Sequence, residues 1–247
     1  KDSLLRTGGN HNYITANNAQ SFSNVRLITA DGVTFDYLAN GYADTYKVAE
    51  DTKTDVVRNI SIDNSGLAAN EDAIRSGDVH IVNKSNAAGS NVKISNSVIK
   101  GTKLVNKENG DIMIVGSQDV LVDNSRLETV NTSSSLNGTK YTTEGQNGGE
   151  VFIGADKDLT VKDSLIMTAG SKGQPEGSNA GAVRIYSYGG TAKADNSNIL
   201  ANGDARILSS NKTELSGSLV RAYNSVDTSD KTEIEIAGAD EVKIHNS

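Results

Sequence analysis

Apolar and polar residues alternate in short segments, and one such segment recurs along most of the chain. The segment has six positions: an apolar residue, any residue, a second apolar residue, any residue, then Asn, Asp or Gly, and finally Ser. Copies of this unit begin at Ile60, Val92, Val120, Leu159, Ala192, Thr213 and Val242. Their mean spacing is about 30 residues, a length found in repeat proteins. Alternation with period two is typical of strands with one buried face. The pattern therefore predicts seven equivalent strand-turn units.

Two further apolar segments accompany most of these units. Alternating segments that precede the unit lie at 79–81, 112–114, 151–153, 183–185 and 234–236. Apolar pairs that follow its Ser lie at 98–99, 165–166 and 219–220. Three short strands per repeat, joined by Gly, Asn and Ser turns, describe one coil of a parallel β-helix. We expect an all-β parallel β-helix (β-solenoid) of about eight or nine coils with variable loops, about 40 Å long.

Stacked coils would place similar residues on one another, about 4.8 Å apart. One predicted aliphatic column contains Ile60, Val92, Val120 and Leu159, and a second contains Ile62, Ile94, Val122 and Val161. The Asn positions are predicted to form a structural amide ladder of Asn64, Asn96, Asn124, Asn196 and Asn246. Asn also tolerates the left-handed backbone of a sharp corner, and Gly217 meets that requirement without a ladder bond.

The first part of the chain fits the repeat less well. We expect a single domain over 1–247, with an irregular first coil and loop at 1–57 and regular repeats at 58–247. Segments 24–27 and 32–35 look like one more coil, followed by a long excursion. Three segments, 36–55, 131–148 and 170–181, are predicted to be surface loops in which binding could occur.

Helical repeats and antiparallel folds are the alternatives to this interpretation. Ankyrin and tetratricopeptide repeats have similar lengths, but the chain lacks sustained apolar spacing at i, i+3, i+4 and i+7. An antiparallel sandwich is the main rival, although it would not normally repeat one strand-turn unit seven times.

Composition narrows the function classes. Hydrophobic residues make up 36% of the 247 residues and aromatic residues 4%, so the predicted core is narrow and aliphatic. The net charge of −7 disfavours binding to nucleic acids and to anionic membranes. The chain contains no Cys, which excludes disulfides, zinc–thiolate sites and thiol nucleophiles. No apolar run approaches the roughly 18 residues of a membrane span, and the first ten residues do not resemble a signal peptide.

Few residues indicate chemistry. No GxSxG, HExxH, P-loop or complete EF-hand motif is present, so we predict a protein that is not an enzyme and has no cofactor. Segments 63–66 and 106–111 carry oxygen ligands near a Gly and are weak calcium candidates. Since many parallel β-helices cleave polysaccharides, a lyase or hydrolase is the alternative function. Tyr186 and Tyr188, with Phe152 on the preceding coil, are the candidate ligand contacts.

One segment resembles a known family. Residues 147–170 (NGGEVFIGADKDLTVKDSLIMTAG) are similar to repeats of filamentous-haemagglutinin-like adhesins, the exoproteins of two-partner secretion. Shorter segments with the same similarity occur at 76–81 and 180–185. Autotransporter passengers are equally compatible. The resemblance implies a right-handed β-helical shaft that is secreted or displayed on the bacterial cell surface, in association with the outer membrane. It also implies a role in attachment, biofilm or filament formation.

The expected partners follow from this resemblance and from the predicted fold. They are a receptor or glycan on a host or neighbouring cell, and a second copy bound through uncapped coil ends.

Overall fold

The structure is a computed structural model, and it describes residues 4–7, 25–30, 33–37, 44–48, 57–69, 78–104, 110–135, 138–140, 149–168, 181–223 and 232–247. Within these ranges the regular elements are all strands. The first twelve are β1 (Leu4–Thr7), β2 (Val25–Ala30), β3 (Val33–Tyr37), β4 (Asp44–Val48), β5 (Ile60–Asp63), β6 (Gly66–Ala69), β7 (Val79–Lys84), β8 (Val92–Ser95), β9 (Val98–Leu104), β10 (Ile112–Gly116), β11 (Val120–Asp123) and β12 (Arg126–Ser135). The remainder are β13 (Gly138–Lys140), β14 (Val151–Ala155), β15 (Leu159–Lys162), β16 (Leu165–Met167), β17 (Val183–Ser187), β18 (Ala192–Asp195), β19 (Asn198–Ala201), β20 (Ala205–Ser209), β21 (Lys212–Ser216), β22 (Leu219–Ala222), β23 (Ile234–Gly238) and β24 (Glu241–His245).

The strands wind through three parallel sheets in turn. Sheet 1 has the order β1-β6-β9-β12-β16-β19-β22, sheet 2 the order β2-β7-β10-β14-β17-β20-β23, and sheet 3 the order β5-β8-β11-β15-β18-β21-β24. Each circuit passes from sheet 2 to sheet 3 to sheet 1, and consecutive strands within each sheet path belong to successive circuits and pair in parallel. The predicted all-β parallel β-helix is therefore confirmed.

The core is a set of aliphatic columns, as the sequence predicted. Ile60, Val92, Val120 and Leu159 are direct Cα partners in successive coils, and Ile62, Ile94, Val122 and Val161 are the partners two residues further on. In sheet 2 the equivalent column is formed by five isoleucines with no exposed surface, Ile81, Ile114, Ile153, Ile185 and Ile207. Residues of the same kind therefore also stack on one another in sheet 2, where the five fully buried members of the column are consecutive isoleucines and Leu27 precedes them.

The corner between sheets 3 and 1 has a left-handed backbone in all seven repeat units that the structure describes. Positive φ angles of 44° to 57° occur at Asn64, Asn96, Asn124, Asp163, Asn196, Gly217 and Asn246. Asn, Asp and Gly tolerate this conformation better than other residues because it brings a Cβ close to the following carbonyl oxygen. The left-handed corner predicted from the recurring Asn and from Gly217 is confirmed.

Alanine at Asn124 is expected to lower the free energy of unfolding by about 1–2 kcal/mol, since alanine is strained at this φ of 44°. Glycine at the same position removes the same side chain but relieves the strain, so Asn124→Gly should retain about 1 kcal/mol more stability than Asn124→Ala. Urea unfolding of the two variants measures the difference. Equal stability of the two would contradict a left-handed corner.

A serine ladder lies directly beside these corners. The N–H of each Ser donates to the hydroxyl oxygen of the Ser in the following coil, at 3.0–3.2 Å. Each hydroxyl donates in turn to the carbonyl oxygen two residues before it, at 2.6–3.0 Å. The members are Ser65, Ser97, Ser125, Ser164, Ser197, Ser218 and Ser247. The recurring Ser of the sequence pattern therefore links neighbouring coils through their backbones.

The number of coils agrees with the lower bound of the prediction. The described strands occupy eight levels, because β1 lies one level before β6 in sheet 1, and β23 and β24 lie one level after β20 and β21: six coils are complete and one at each end is partial. Seven rises of about 4.8 Å give a stack about 34 Å long, compared with the expected 40 Å. The prediction of a further coil was correct for β2, which pairs with β7, but wrong for β3, which pairs with β4 in an antiparallel hairpin. Alternation alone does not distinguish these two kinds of strand.

Two predicted loops contain regular structure. The hairpin of β3 and β4 occupies part of segment 36–55. In segment 131–148, β12 continues beyond its sheet 1 partners and pairs in antiparallel fashion with β13. The polar Ser and Thr residues there suggested a loop, but their backbones are strand-paired. The third predicted loop, apart from Gly181, lies outside the described residues.

Candidate ligand-binding face

The outward face of sheet 2 collects aromatic and charged side chains. Alternation in β14 and β17 buries Ile153 and Ile185 in the core, while Phe152, Arg184 and Tyr186 point outward and remain partly exposed. The register pairs Phe152 with Arg184 and Gly154 with Tyr186. The two strands therefore present one continuous surface, which we call the sheet 2 face.

Three aromatic rings gather on the sheet 2 face, and we call them the aromatic cluster: Phe152, Tyr186 and Tyr188. The ring centroids of Phe152 and Tyr186 are 5.7 Å apart, and those of Tyr186 and Tyr188 are 6.2 Å apart, both edge-to-face. Such geometry is the favourable one for aromatic pairs. Tyr188 follows β17, is anchored by its N–H to the Ala155 carbonyl oxygen at 2.8 Å, and is 56% exposed. The three candidate ligand contacts from the sequence thus lie together.

Gly154 provides the space in which these rings lie. A Cβ at this position would be 2.9 Å from Cε1 of Phe152 and 3.5 Å from Cε2 of Tyr188. The rings therefore pack over a residue with no side chain, and any larger residue would push the Phe152 ring away.

Charged side chains border the aromatic cluster on β17 and β20. Arg184 Nη1 lies 3.2 Å from Glu150 Oε1. Arg206, which is the Cα partner of Arg184, lies 3.6 Å from Asp204 and 3.4 Å from both Glu233 and Glu235. The Arg206 guanidinium lies close enough to Tyr186 for the two side chains to interact electrostatically. The two guanidinium groups are held in place by carboxylates beside the rings.

Glu150 is the most perturbed acid on this face. Its pKa is raised from 4.5 to about 7: burial is the largest cause, because the charged form loses water, the Arg184 guanidinium opposes the change, and the nearby Asp111 carboxylate adds to it. Burial also raises the pKa of the Tyr188 hydroxyl, with added contributions from Tyr186 and Asp156. The Tyr188 hydroxyl therefore stays protonated at neutral pH, whereas the Glu150 carboxyl titrates close to neutral pH.

Glu150→Gln is expected to stabilise the protein at pH 8 by about 2 kcal/mol and to have little effect at pH 4.5. The folded pKa lies above the unfolded one, so the native state binds more protons between pH 4.5 and about 7. Stability contributed by this group therefore falls as the pH rises through that window. Urea unfolding at both pH values measures the difference between variant and wild type.

Glu233→Gln is the matched control, since Glu233 is an exposed carboxyl on the same face. Its effect should stay within about 0.5 kcal/mol at both pH values. A destabilised Glu150→Gln at pH 8 would show that the ion pair with Arg184 outweighs the cost of burial.

The predicted ladder residues lie at the corner between sheets 3 and 1, away from the aromatic cluster. Asn124 Nδ2 donates to Asn96 Oδ1 at 2.8 Å. Two other bonds go to carboxylates, from Asn96 to Asp63 Oδ1 at 3.1 Å and from Asn196 to Asp163 Oδ1 at 2.6 Å. Asn246 contacts the ring of His245, and Asn64 occupies the left-handed corner of the first described unit.

The two weak calcium candidates contribute oxygens to the stacking of coils. Asp63 Oδ1 accepts the bond from Asn96, and Asp111 Oδ1 accepts a bond from the Glu150 N–H at 2.7 Å. Residues 106–109 of the second candidate lie outside the described ranges. Across the ranges described, no group of three or more His, Asp or Glu residues is placed to hold a metal ion.

Glu150, Arg184, Arg206 and Gly154 were not singled out by the sequence. Their side chains belong to three consecutive coils, and only the register brings them together. The alternation around β14 could have grouped three of the residues on the sheet 2 face, because Glu150, Phe152 and Gly154 are two residues apart and so lie on the same side of the strand.

No helix long and apolar enough to cross a membrane is found among the described residues. Comparison with known protein families finds no matching family model, and searches of curated proteins and of solved structures likewise find no match.

Proposed function

We propose that this chain is a structural and adhesive β-helical shaft of a secreted or cell-surface protein, non-catalytic, which mediates attachment, biofilm or filament formation. The observation that carries the proposal is the serine ladder, which runs without interruption from Ser65 to Ser247. The most regular feature of the sequence is thereby used to join coils.

The hydrogen-bonding capacity of the repeated residues supports this view. From Ser97 onward, the hydroxyl of each ladder Ser accepts the N–H of the Ser in the preceding coil and donates to a carbonyl oxygen in its own corner, so the fold uses both of its hydrogen bonds. The repeated apolar residues are buried in the columns. Ligand contacts are therefore left to residues that do not repeat, such as those on the sheet 2 face, as suits a shaft that displays a binding surface.

One observation favours the alternative, a polysaccharide lyase or hydrolase. A carboxyl whose pKa is raised to about 7, as at Glu150, is suited to act as a general acid or base. It lies beside Arg184 and on the same face as Phe152. A glycoside hydrolase of the usual kind needs a second carboxylate opposite the first. Glu233 and Glu235 lie three coils from Glu150 along the stack and are paired with Arg206.

Incubation of the purified chain with neutral and acidic polysaccharides, with and without calcium, separates the two functions. We expect no new reducing ends and no unsaturated products. Release of products by the wild type, abolished in Glu150→Gln, would establish an enzyme and overturn the shaft proposal.

The proposed adhesive role of the chain requires a separate measurement. Beads coated with the chain should attach to cells or to biofilm matrix, and beads coated with an unrelated acidic protein should not. Equal attachment of both bead types would contradict an adhesive role.

A further inference from the structure

We propose that the sheet 2 face binds an uncharged polysaccharide, which lies along the helix axis and packs on the aromatic cluster. This inference rests on the proposed adhesive function and names the class of ligand that the shaft would hold.

The shape of the face suits an extended chain of sugars. Tyr186 in β17 and Tyr188 just after it share one coil, Phe152 lies in the preceding coil and Arg206 in the following one. Neighbouring coils are separated by about 4.8 Å, which is close to the length of one pyranose residue in an extended polysaccharide. A polysaccharide parallel to the helix axis would therefore place successive sugars over successive coils.

The chemistry of the rings suits the apolar side of a sugar. Sugar rings present C–H groups on their faces and hydroxyls at their edges, and aromatic rings offer apolar area with few rotatable bonds. Gly154 leaves space beneath the cluster, and the side chain of Tyr188 is more than half exposed. The phenol hydroxyls of Tyr186 and Tyr188 can each donate to and accept from sugar hydroxyls.

The charges of the face disfavour an anionic ligand. Carboxylates at Glu150, Asp204, Glu233 and Glu235 would repel uronic acids and sulfated sugars, and the whole chain carries −7. The guanidinium groups of Arg184 and Arg206 lie among those carboxylates and offset only part of their charge, so they do not form a site for an anionic sugar. Paired charges of both signs still bond to neutral hydroxyls, since guanidinium donates and carboxylate accepts.

Co-sedimentation with insoluble or immobilised polysaccharides tests the proposal on the full chain. The neutral probes are cellulose, β-1,3-glucan, mannan and dextran, the anionic probe is polygalacturonate, and the cationic probe is chitosan. We expect retention on at least one neutral probe with little dependence on salt, and no retention on polygalacturonate. Any retention on chitosan should be lost as salt is raised, since a chain of net charge −7 attracts a polycation non-specifically.

Tyr188→Ala is expected to weaken that retention about tenfold, which corresponds to the loss of one buried contact of about 1.4 kcal/mol. The exposed ring contributes little to folding, so the variant should remain folded. Tyr223→Ala is the matched control, because Tyr223 follows β22 of sheet 1, where its ring stacks on Arg221, and it should bind like the wild type. Gly154→Ala, which displaces the Phe152 ring, should weaken retention without removing any aromatic group.

The outcomes separate this inference from the proposed function. Failure to bind any neutral probe, preference for polygalacturonate, salt-resistant preference for chitosan, or equal losses in Tyr188→Ala and Tyr223→Ala would each overturn the inference. If bead attachment to cells persists in those cases, the adhesive proposal stands and its surface lies elsewhere. Soluble products released from a retained probe would overturn the non-catalytic shaft itself.

Discussion

Replacing Ile153 by alanine is expected to lower the free energy of unfolding by about 2–5 kcal/mol. Ile153 has no exposed surface, and its partners in the neighbouring coils, Ile114 and Ile185, are equally buried. The substitution removes three carbons from a continuous column and leaves a cavity between two isoleucines. Urea denaturation followed by circular dichroism measures the change.

The cavity at this position cannot close easily. Ile114 and Ile185 belong to strands that are hydrogen-bonded on both sides in sheet 2, so the backbone spacing of about 4.8 Å is fixed. Ile153→Val removes one methyl group and should cost about 0.5–1.5 kcal/mol, which makes it the graded control. A loss below 1 kcal/mol for Ile153→Ala would show that the sheet 2 column is not packed as described.

Replacing Ser164 by alanine is expected to cost about 2–3 kcal/mol, although the side chain loses only one oxygen. The hydroxyl of Ser164 accepts from the Ser125 N–H at 3.0 Å and donates to the Lys162 carbonyl oxygen at 2.6 Å. Ser125 and Ser164 are both buried, so the Ser125 N–H would lose its acceptor in a place with little access to water. A buried donor without a partner costs more than the net value of the bond that it made.

Ser61→Ala is the control for Ser164→Ala. Ser61 is exposed in β5 on the outer side of sheet 3, so its replacement should change the stability by less than about 0.5 kcal/mol. Urea unfolding of both variants tests the ladder. If the two substitutions have the same small effect, the serine hydroxyls do not join the coils.

The parts of the fold that repeat were predictable from the sequence. Two aliphatic columns and the left-handed corners followed from alternation and from the recurring Asn, because each coil needs the same residue type at the same place. The role of the recurring Ser was missed, since a hydroxyl in a turn has several common partners and alternation does not choose among them. Strand β20 was also missed, because it begins with Ala205, whose small side chain weakens the apolar pattern.

The candidate face was less predictable than the fold. The aromatic residues Phe152, Tyr186 and Tyr188 could be chosen from the sequence, since the two tyrosines alternate within one strand region and the phenylalanine lies in the equivalent strand before it. The contact of Arg206 with Tyr186 could not, because it depends on the register across a connection of irregular length. Equivalent ladder serines are separated by 21 residues in one coil and 39 in another.

Cross-linking of neighbouring coils tests the central claim that the coils stack in register. The chain has no native Cys among its 247 residues, so a pair of introduced cysteines reports on one distance alone. Leu121 and Thr160 are Cα partners in adjacent coils and lie on the outer face of sheet 3, whereas Lys193 is the partner of Thr160 one coil further.

The double variant Leu121→Cys with Thr160→Cys should form a disulfide readily under mild oxidation, because partners about 4.8 Å apart fall within the Cα range of a disulfide. Leu121→Cys with Lys193→Cys spans two rungs, about 9.6 Å, and should remain reduced. Mass spectrometry of the oxidised proteins reads out both results. Failure of the first pair to cross-link, or equal cross-linking of both pairs, would contradict the stacked β-helix on which the account rests.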